Sequence, residues 1–416
     1  MQTKISGFYK LSPTKRIKKI AEQTALTQEE KALLQNGLSL EEANIMIENV
    51  IGYFPVPLGI AVNFKINGKD TFIPMATEEP SVVAAASNAA KLSYDLGGFT
   101  TSQSESIMIG QIQIVKVKRP YETMAKVYEK KSEILSLCNE QDKTLVNLGG
   151  GAKNLEVRVF PDHNIVVIHL FVDTKDAMGA NTVNTMAEAI TPFLTNIIDG
   201  DIGIRIISNL ADERIVRARA TFTNPFNEVD LEKFMEAYTL AVIDPYRAVT
   251  HNKGIMNGIS AVALATGNDT RAVEAGAHAF ASISGSYRSL THWEIDAHNN
   301  IVGTIELPLA IGIVGGATRM NKVAQTSLKI MQIEHVQDLA AAIASVGLAQ
   351  NFAALRALAS EGIQAGHMKL HVANLASMAG AKPEEMEIVI KQANELNTIS
   401  FDKVKHIVDS LKNRNQ

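Results

Sequence analysis

Four short segments of the chain each place a side chain that could move charge or protons beside a glycine or a predicted helix start. The first contains Glu79, the second contains Arg247 and Lys253, the third contains Asp269, and the fourth contains His367. A carboxyl group or an imidazole can exchange protons, and a fixed cation can polarise a carbonyl or neutralise a carboxylate. Because such groups act together only when they share a pocket, the segments predict a site between domains.

Each segment also has a structural explanation. Glu79 could merely complement the dipole of a helix that begins at Pro80. The basic residues of the second segment could lie in a solvated loop, and Asp269 could serve only to cap an alanine-rich helix. However, Lys253 and Asn257 are four residues apart, so a helical turn would place them on one face.

His367 has three open interpretations. His371 follows it by four residues, which is the spacing of a two-histidine metal site, but the glutamate of a zinc protease is missing between them. A surface or packed histidine is the second interpretation. A general acid that acts near neutral pH is the third.

The segment over residues 173–182 links a predicted strand to a predicted helix. Its Gly179 and the helix start could receive a pyrophosphate. This segment does not contain a GxGxxG loop, and the glycines at 149–151 do not form one either. A Rossmann domain is therefore not supported.

Composition narrows the class of protein. Of the 416 residues, 46% are hydrophobic and 20% are charged, which is typical of a folded protein with two or three domains. The net charge of −4 gives no reason to expect nucleic-acid binding. The single cysteine, Cys138, fits a reducing compartment, and we interpret it as a packing residue.

Two apolar regions bear on the location of the protein. The N-terminus has no apolar run long enough for a signal peptide. Residues 339–359 are rich in alanine and interrupted by polar residues, which predicts a buried helix rather than a membrane span. We therefore expect a cytoplasmic protein with no membrane partner.

The elements that must position these side chains indicate an α+β fold. The first 50 residues contain two capping-box patterns, at 27–30 and 39–42. Asn67-Gly68 predicts a hairpin turn, and a second hairpin is expected over 291–306. Between them we predict, in order, strand 107–117, helix 121–145, strands 155–160 and 165–172, helix 181–198 and strand 202–208. This βαββαβ order is typical of a ferredoxin-like domain.

The predicted organisation is therefore a helical large domain with hairpins, an inserted ferredoxin-like small domain, and a C-terminal helical flap. The expected limits are 1–103 and 213–363 for the large domain, 104–212 for the small domain and 364–416 for the flap.

Read together, six motifs are similar to those of one family. They are ENVIG at 48–52, EEPSVVAAAS at 78–87, DAMGANTVNTM at 176–186, DPYRAVTHNKGIMNG at 244–258, ATGND at 265–269 and EGIQAGHM at 361–368. In this order, and over nearly the whole chain, they resemble the hydroxymethylglutaryl-coenzyme A reductases. The sequence shows no membrane region and no basic, serine-containing segment after His367. In both respects it resembles the soluble, bacterial-type class II enzymes.

The resemblance implies that the ferredoxin-like small domain binds the nucleotide, and it implies roles for individual residues. The catalytic group would be Glu79, Lys253, Asp269 and His367. The substrate would contact Ser81, Arg247 and Asn257, and the cofactor would contact Asp142, Asp176, Met178, Gly179, Ala180, Asn181 and Asn209. The cofactor would be NADH or NADPH, with NADH favoured because Asp142 can bind a ribose hydroxyl and repel a 2′-phosphate, although adjacent Lys143 could offset that repulsion.

The resemblance also implies partners. Coenzyme A would be part of substrate and product, and no metal is expected. The chain would form a homodimer with a shared active site, or a higher oligomer, with ENVIG near the interface. Two alternatives remain: a reductase of a different coenzyme A thioester, and a non-catalytic protein that senses nucleotides through the ferredoxin-like domain.

Overall fold

The structure is a computed structural model that describes residues 1–360, 372, 375–382, 385–394, 396 and 399–414. The strands are β1 (Leu58–Ile66), β2 (Lys69–Ala76), β3 (Phe99–Gln103), β4 (Ile107–Val115), β5 (Gly151–Phe160), β6 (Ile165–Asp173), β7 (Asp201–Ile207), β8 (Ile215–Phe222), β9 (Thr291–Ile295) and β10 (Ile301–Pro308). The helices up to residue 265 are α1 (Pro13–Thr24), α2 (Gln28–Asn36), α3 (Leu40–Met46), α4 (Val82–Tyr94), α5 (Pro120–Glu129), α6 (Lys131–Asn139), α7 (Lys143–Asn147), α8 (Ala180–Ala189), α9 (Thr191–Ile197), α10 (Glu228–Ile243) and α11 (Pro245–Ala265). They are followed by α12 (Thr270–Ala281), α13 (Gly316–Met320), α14 (Lys322–Met331), α15 (Val336–Ala359), α16 (Met386–Asn394) and α17 (Phe401–Arg414).

The large sheet has six strands in the order β2-β1-β3-β8-β10-β9. The hairpin predicted at Asn67-Gly68 joins β1 to β2, and both turn residues have positive φ, 49° and 80°. This backbone matches the turn type that suits the twist of a hairpin. The second predicted hairpin is also confirmed, since β9 and β10 pair antiparallel.

Capping explains the predicted N-terminal helices. Thr27 Oγ1 accepts a hydrogen bond from the Glu30 amide, and the Glu30 carboxylate accepts one from the Thr27 amide. Ser39 and Glu42 make the same reciprocal pair. Both predicted capping boxes are therefore confirmed.

Helix α15 fills the core beside the large sheet. Phe352 of this helix stacks on Phe222 with ring centroids 4.2 Å apart, and Trp293 packs against both rings. The helix is long and apolar enough to cross a membrane, but 83% of its most apolar window is buried inside the protein. The buried helix predicted over 339–359 is therefore confirmed.

The small sheet has the order β5-β6-β4-β7, and every neighbouring pair is antiparallel. With its helices it forms the predicted βαββαβ, ferredoxin-like arrangement. Cys138 packs in its core, and burial raises the pKa of the thiol to about 12. The prediction that Cys138 is a packing residue is confirmed.

Two helix predictions in the small domain are wrong in their extent. The single helix expected over 121–145 is three helices, because the chain leaves helical geometry at Lys130 and restarts at the cap Asp142. The helix expected over 181–198 is split at Ile190, where the following Thr191-Pro192 begins α9. Proline is favoured in a first turn but cannot continue an existing helical ladder.

Helices α16 and α17 pack on a separate hydrophobic cluster. Its buried members in the described residues include Val372, Leu375, Val389, Val404 and Val408. The predicted helical character of the C-terminal segment is confirmed by these helices.

Candidate active site

Glu79 lies in the short connection between β2 and α4. Thr77 Oγ1 accepts a hydrogen bond from the Glu79 amide at 3.1 Å. Helix α4 begins at Val82, and its N-cap Ser81 has a φ of 77°, in the left-handed region. The helix start predicted at Pro80 is therefore wrong, because the chain turns through Ser81 before the helix begins. The turn leaves the Glu79 side chain 35% exposed.

Helix α11 carries the basic residues of the second segment. The Asp244 carboxylate accepts a hydrogen bond from the Arg247 amide at 3.0 Å, and Pro245 occupies the first helical position. The solvated-loop explanation is therefore wrong for this segment. Lys253 and Asn257 lie one turn apart on the helix, as their spacing predicted.

Lys253 and Glu79 meet although 174 positions separate them in the chain. Lys253 Nζ donates a hydrogen bond to Glu79 Oε2 at 3.0 Å, and the Lys253 side chain is 61% exposed. The contact places a cation beside a group that can exchange a proton. Such a pair can stabilise a developing oxyanion and supply a proton at the same place.

The N-terminal half of α11 is anchored by His251, which is buried. Its Nε2 lies 2.9 Å from both Thr291 Oγ1 and Ser289 Oγ. Burial, reinforced by the positive charge of Arg247, lowers the pKa of His251 to about 3, so a neutral ring holds the helix in place. Sequence reasoning missed His251; its available signal was a polar residue two positions before Lys253, on the buried side of α11.

Asp269 caps α12. Its Oδ1 accepts hydrogen bonds from the amides of Arg271 and Ala272, at 3.0 and 3.2 Å, and the Arg271 guanidinium pairs with it at 3.3 Å. The capping prediction for Asp269 is confirmed. From Lys253 to Ala265, at the end of α11, the helix rises about 18 Å, and Asp269 follows that end. Within the described residues of one chain, the contacts of Asp269 are with Arg271 and Ala272, whereas Lys253 contacts Glu79.

Gly179 is the N-cap of α8 and has a φ of 97°. A side chain there would also collide with Thr174, since an added Cβ would lie 2.2 Å from its Cγ2. Ala180 and Asn181 begin the helix, and no side chain in the described part of the chain caps it. The first amides of α8 are thus available for an anion, which fits a pyrophosphate.

The other predicted cofactor residues differ in what they contact. Asp176 caps α15: its Oδ1 accepts a hydrogen bond from the Val336 amide at 2.8 Å. Asp142 caps α7 and accepts a hydrogen bond from Thr182 Oγ1, in the first turn of α8, at 3.4 Å. Asn209 is exposed in the turn after β7. Asp142 therefore lies beside the start of α8, and both carboxylates already accept hydrogen bonds from the protein.

His367, the fourth predicted catalytic residue, lies outside the described residues, as does His371. Within residues that the structure describes, no group of three histidine, cysteine or acidic side chains could hold a metal ion.

The fold and the site together define a class of protein. It is a mixed helix and sheet protein with a helical large domain and an inserted ferredoxin-like domain. The large domain carries the lysine–glutamate pair.

A sequence model described as hydroxymethylglutaryl-coenzyme A reductase matches residues 12–372. The chain belongs to the hydroxymethylglutaryl-coenzyme A reductase family. It is 53% identical to the 3-hydroxy-3-methylglutaryl-coenzyme A reductase of Archaeoglobus fulgidus, over 99% of this chain and 95% of the relative. It is 36% identical to a probable 3-hydroxy-3-methylglutaryl-coenzyme A reductase of Borreliella burgdorferi, over 99% of this chain and 98% of the relative.

Solved structures agree with the sequence relatives. The reductase of Streptococcus pneumoniae matches with a TM-score of 0.82 and 39% identity, over 98% of this chain and 99% of that chain. A class II reductase from the same organism, bound to NADPH in open conformations, matches with a TM-score of 0.81 and 40% identity, over 85% of this chain and 99% of that chain. The resemblance to the class II reductases is therefore confirmed.

Proposed function

We propose that the chain reduces hydroxymethylglutaryl-coenzyme A to mevalonate and coenzyme A, or catalyses the reverse oxidation. The observation that carries this proposal is the 3.0 Å contact between Lys253 Nζ and Glu79 Oε2, in a chain of this family. Two molecules of a nicotinamide cofactor, bound one after the other, would each supply one hydride. The first hydride would convert the thioester to the aldehyde with loss of coenzyme A, and the second would convert the aldehyde to the alcohol.

The Lys253–Glu79 pair would act on the carbonyl oxygen. Each hydride addition leaves negative charge on that oxygen, and a fixed ammonium lowers the barrier by stabilising that charge. Glu79 would then protonate the alkoxide of mevalonate. Ser81, two residues from Glu79, and Asn257, one turn from Lys253, would hold the hydroxymethylglutaryl group.

Arg247 would bind the free carboxylate of the substrate. Burial lowers the pKa of its guanidinium from the ordinary value, but guanidinium groups remain protonated in proteins. His251, whose pKa the Arg247 charge helps to lower to about 3, stays neutral beside it. A planar, partly buried guanidinium is suited to bind a carboxylate through two hydrogen bonds.

Asp269 would join the site from a second copy of the chain. Because about 18 Å of α11 separates Lys253 from the end of the helix, the family's catalytic aspartate cannot act on Lys253 within one chain. Two copies of α11 packed antiparallel about a twofold axis would bring the Asp269 of one chain to the Lys253 of the other. We therefore propose a homodimer with a shared active site, able to assemble further.

Exposed apolar side chains support this interface. Tyr246 of α11 is 88% exposed and Ile243 of α10 is 71% exposed, close to Arg247. In the stretch that begins with ENVIG, Ile51 is 101% and Phe54 is 94% exposed. Large apolar side chains exposed in groups are typical of surfaces that a partner covers.

The cofactor would place its pyrophosphate at the start of α8, near Gly179. Asp142 lies beside this helix, so its carboxylate could accept from a ribose hydroxyl and repel a 2′-phosphate. We therefore favour NADH, with NADPH possible because Lys143 adjoins Asp142 and a related structure is described as bound to NADPH. We expect a higher kcat/KM for NADH than for NADPH, measured with the thioester at saturation; a preference for NADPH would contradict the role of Asp142.

His367→Gln should damage the thioester reaction about 100-fold and leave reduction of free mevaldehyde nearly unchanged. The reason is that His367 would protonate the departing coenzyme A thiolate, a step that mevaldehyde does not need. Initial rates with the two substrates measure this difference. Equal loss of both activities would argue against thiolate protonation.

The remaining proposals concern the whole chain. We propose a cytoplasmic protein with domain limits at 1–103, 104–212, 213–363 and 364–416, the last being a flap whose closure would deliver His367. The separate hydrophobic clusters of the large sheet, the small sheet and the C-terminal helices support this division.

The function is tested by stoichiometry. Oxidation of the cofactor is followed by its absorbance while released coenzyme A is titrated with a thiol reagent. Two cofactor molecules oxidised for each thiol released are expected. A ratio of one would indicate reduction only to the aldehyde, and binding of cofactor without any turnover would favour the nucleotide-sensing alternative.

A further inference from the structure

The guanidinium of Arg214, which directly precedes β8, is buried where the loop after β6 meets the segment after β10. Arg214 as a whole residue is only 6% exposed. Its Nη1 donates to Thr174 Oγ1 at 3.0 Å and to the carbonyl oxygens of Ala177 and Met178 at 3.1 and 3.4 Å. Its Nη2 donates to the carbonyl oxygen of Ile311 at 2.7 Å. One side chain therefore bonds two segments that lie far apart in sequence.

The same two segments also contact each other directly. The Ile313 amide donates to the Asp176 carbonyl oxygen at 2.8 Å, and Ala177 pairs with Val314 in an isolated parallel bridge. At Gly312 an added Cβ would lie 2.4 Å from the Met178 nitrogen, so only glycine permits this approach. The hydrogen bonds of Arg214 therefore add to a contact that the backbones of the two segments already make.

The positive charge of Arg214 is stabilised mainly by hydrogen bonds to neutral acceptors. Burial lowers its pKa to about 10, and Asp173 and Asp176 oppose that shift. Neither carboxylate is free to bind it, since Asp173 pairs with Lys175 at 2.8 Å and Asp176 caps α15. A buried cation is costly unless hydrogen bonds satisfy it, and the planar fork of arginine can reach several acceptors that a lysine cannot.

We propose that Arg214 is a positioning residue for the nicotinamide cofactor, which it serves by fixing the loop 174–178 against the large domain. The inference rests on the proposed function, in which the start of α8 receives the pyrophosphate. Since Gly179 follows this loop and caps α8, any displacement of the loop moves those amides. A misplacement of about 1 Å can cost on the order of 100-fold in rate.

The first test replaces Arg214 by lysine, which keeps the charge but loses the fork. Arg214→Lys should raise the KM and the Kd of NADH roughly 10- to 100-fold, while the KM of the thioester changes less than about threefold. Kd is measured by quenching of cofactor fluorescence. The control is Arg217→Lys. Arg217 is the next arginine along the chain, and its guanidinium pairs with Glu306 on the exposed face of β8. This variant should bind NADH and reduce the thioester as the unaltered enzyme does.

A second pair of variants covers the case in which Arg214→Lys does not fold. Thr174→Ala removes one acceptor of Arg214, whereas Thr174→Ser keeps the hydroxyl. The alanine variant should weaken NADH binding roughly 3- to 10-fold and the serine variant less than about twofold. Equal effects of alanine and serine would overturn the proposal.

The outcomes separate this inference from the proposed function. If the unaltered chain binds neither NADH nor NADPH, the proposed function fails. If it binds cofactor and Arg214→Lys changes cofactor and thioester KM equally, or changes neither, Arg214 has a structural role only and the inference is wrong.

Discussion

Replacing Lys253 by alanine should abolish reduction of both the thioester and free mevaldehyde, by about 10³-fold or more in kcat. Both reductions place negative charge on the same carbonyl oxygen, and Lys253 is the cation beside Glu79, at 3.0 Å. The loss should fall on kcat rather than on KM, because the ammonium interacts more strongly with the charged transition state than with the neutral carbonyl. Steady-state kinetics with each substrate measure the effect.

A matched control keeps this result interpretable. Lys91→Ala removes an exposed lysine of α4 and should leave both activities unchanged. Thermal unfolding of Lys253→Ala should resemble that of the unaltered chain, since an exposed ion pair contributes at most about 1 kcal/mol. Mevaldehyde reduction retained by the folded Lys253→Ala chain would contradict the oxyanion role.

Local signals predicted much of the fold. The capping boxes at Thr27 and Ser39 and the turn at Asn67-Gly68 formed as expected, because their hydrogen bonds and backbone angles involve only neighbouring residues. The βαββαβ order was readable for the same reason. Once alternating strands and their helices are recognised in sequence, few topologies remain.

Interruptions of local structure were harder to predict. The breaks at Lys130 and Ile190 divide amphipathic stretches whose apolar spacing continues across them. Hydrophobic periodicity reports which face is buried but not whether the backbone hydrogen bonds continue. The predicted start of the helix after Glu79 was also wrong. Ser81 adopts a positive φ that a non-glycine residue rarely takes, and the sequence does not indicate it.

The candidate site could be predicted only in part. Composition and spacing identified Glu79 and Lys253 as separate chemical groups, but no local rule joins residues 174 positions apart. Family resemblance supplied that pairing. Resemblance did not reveal that Asp269 lies beyond the far end of α11, since the geometry of a helix 21 residues long enters only with the structure.

That separation leads to the second prediction, which concerns mixed dimers. Lys253→Ala and Asp269→Ala chains should each be inactive alone, yet their co-expression should restore activity to about a quarter of the unaltered level. Half of the dimers would then be mixed. In each mixed dimer one site would combine the intact Lys253 of one chain with the intact Asp269 of the other, while the second site would lack both.

The matched control mixes Lys253→Ala with Glu79→Gln. These residues contact each other within one chain, so every site in their mixed dimers would lack one of them and activity should stay near zero. Differently tagged chains, purified through both tags in sequence, give the mixed dimers alone and remove any doubt about association. If the Lys253→Ala and Asp269→Ala pair then remained inactive, the two groups would not meet across an interface and the shared site would have to be abandoned. If the Glu79→Gln mixture regained activity instead, the lysine–glutamate pair within one chain would not be the reacting pair.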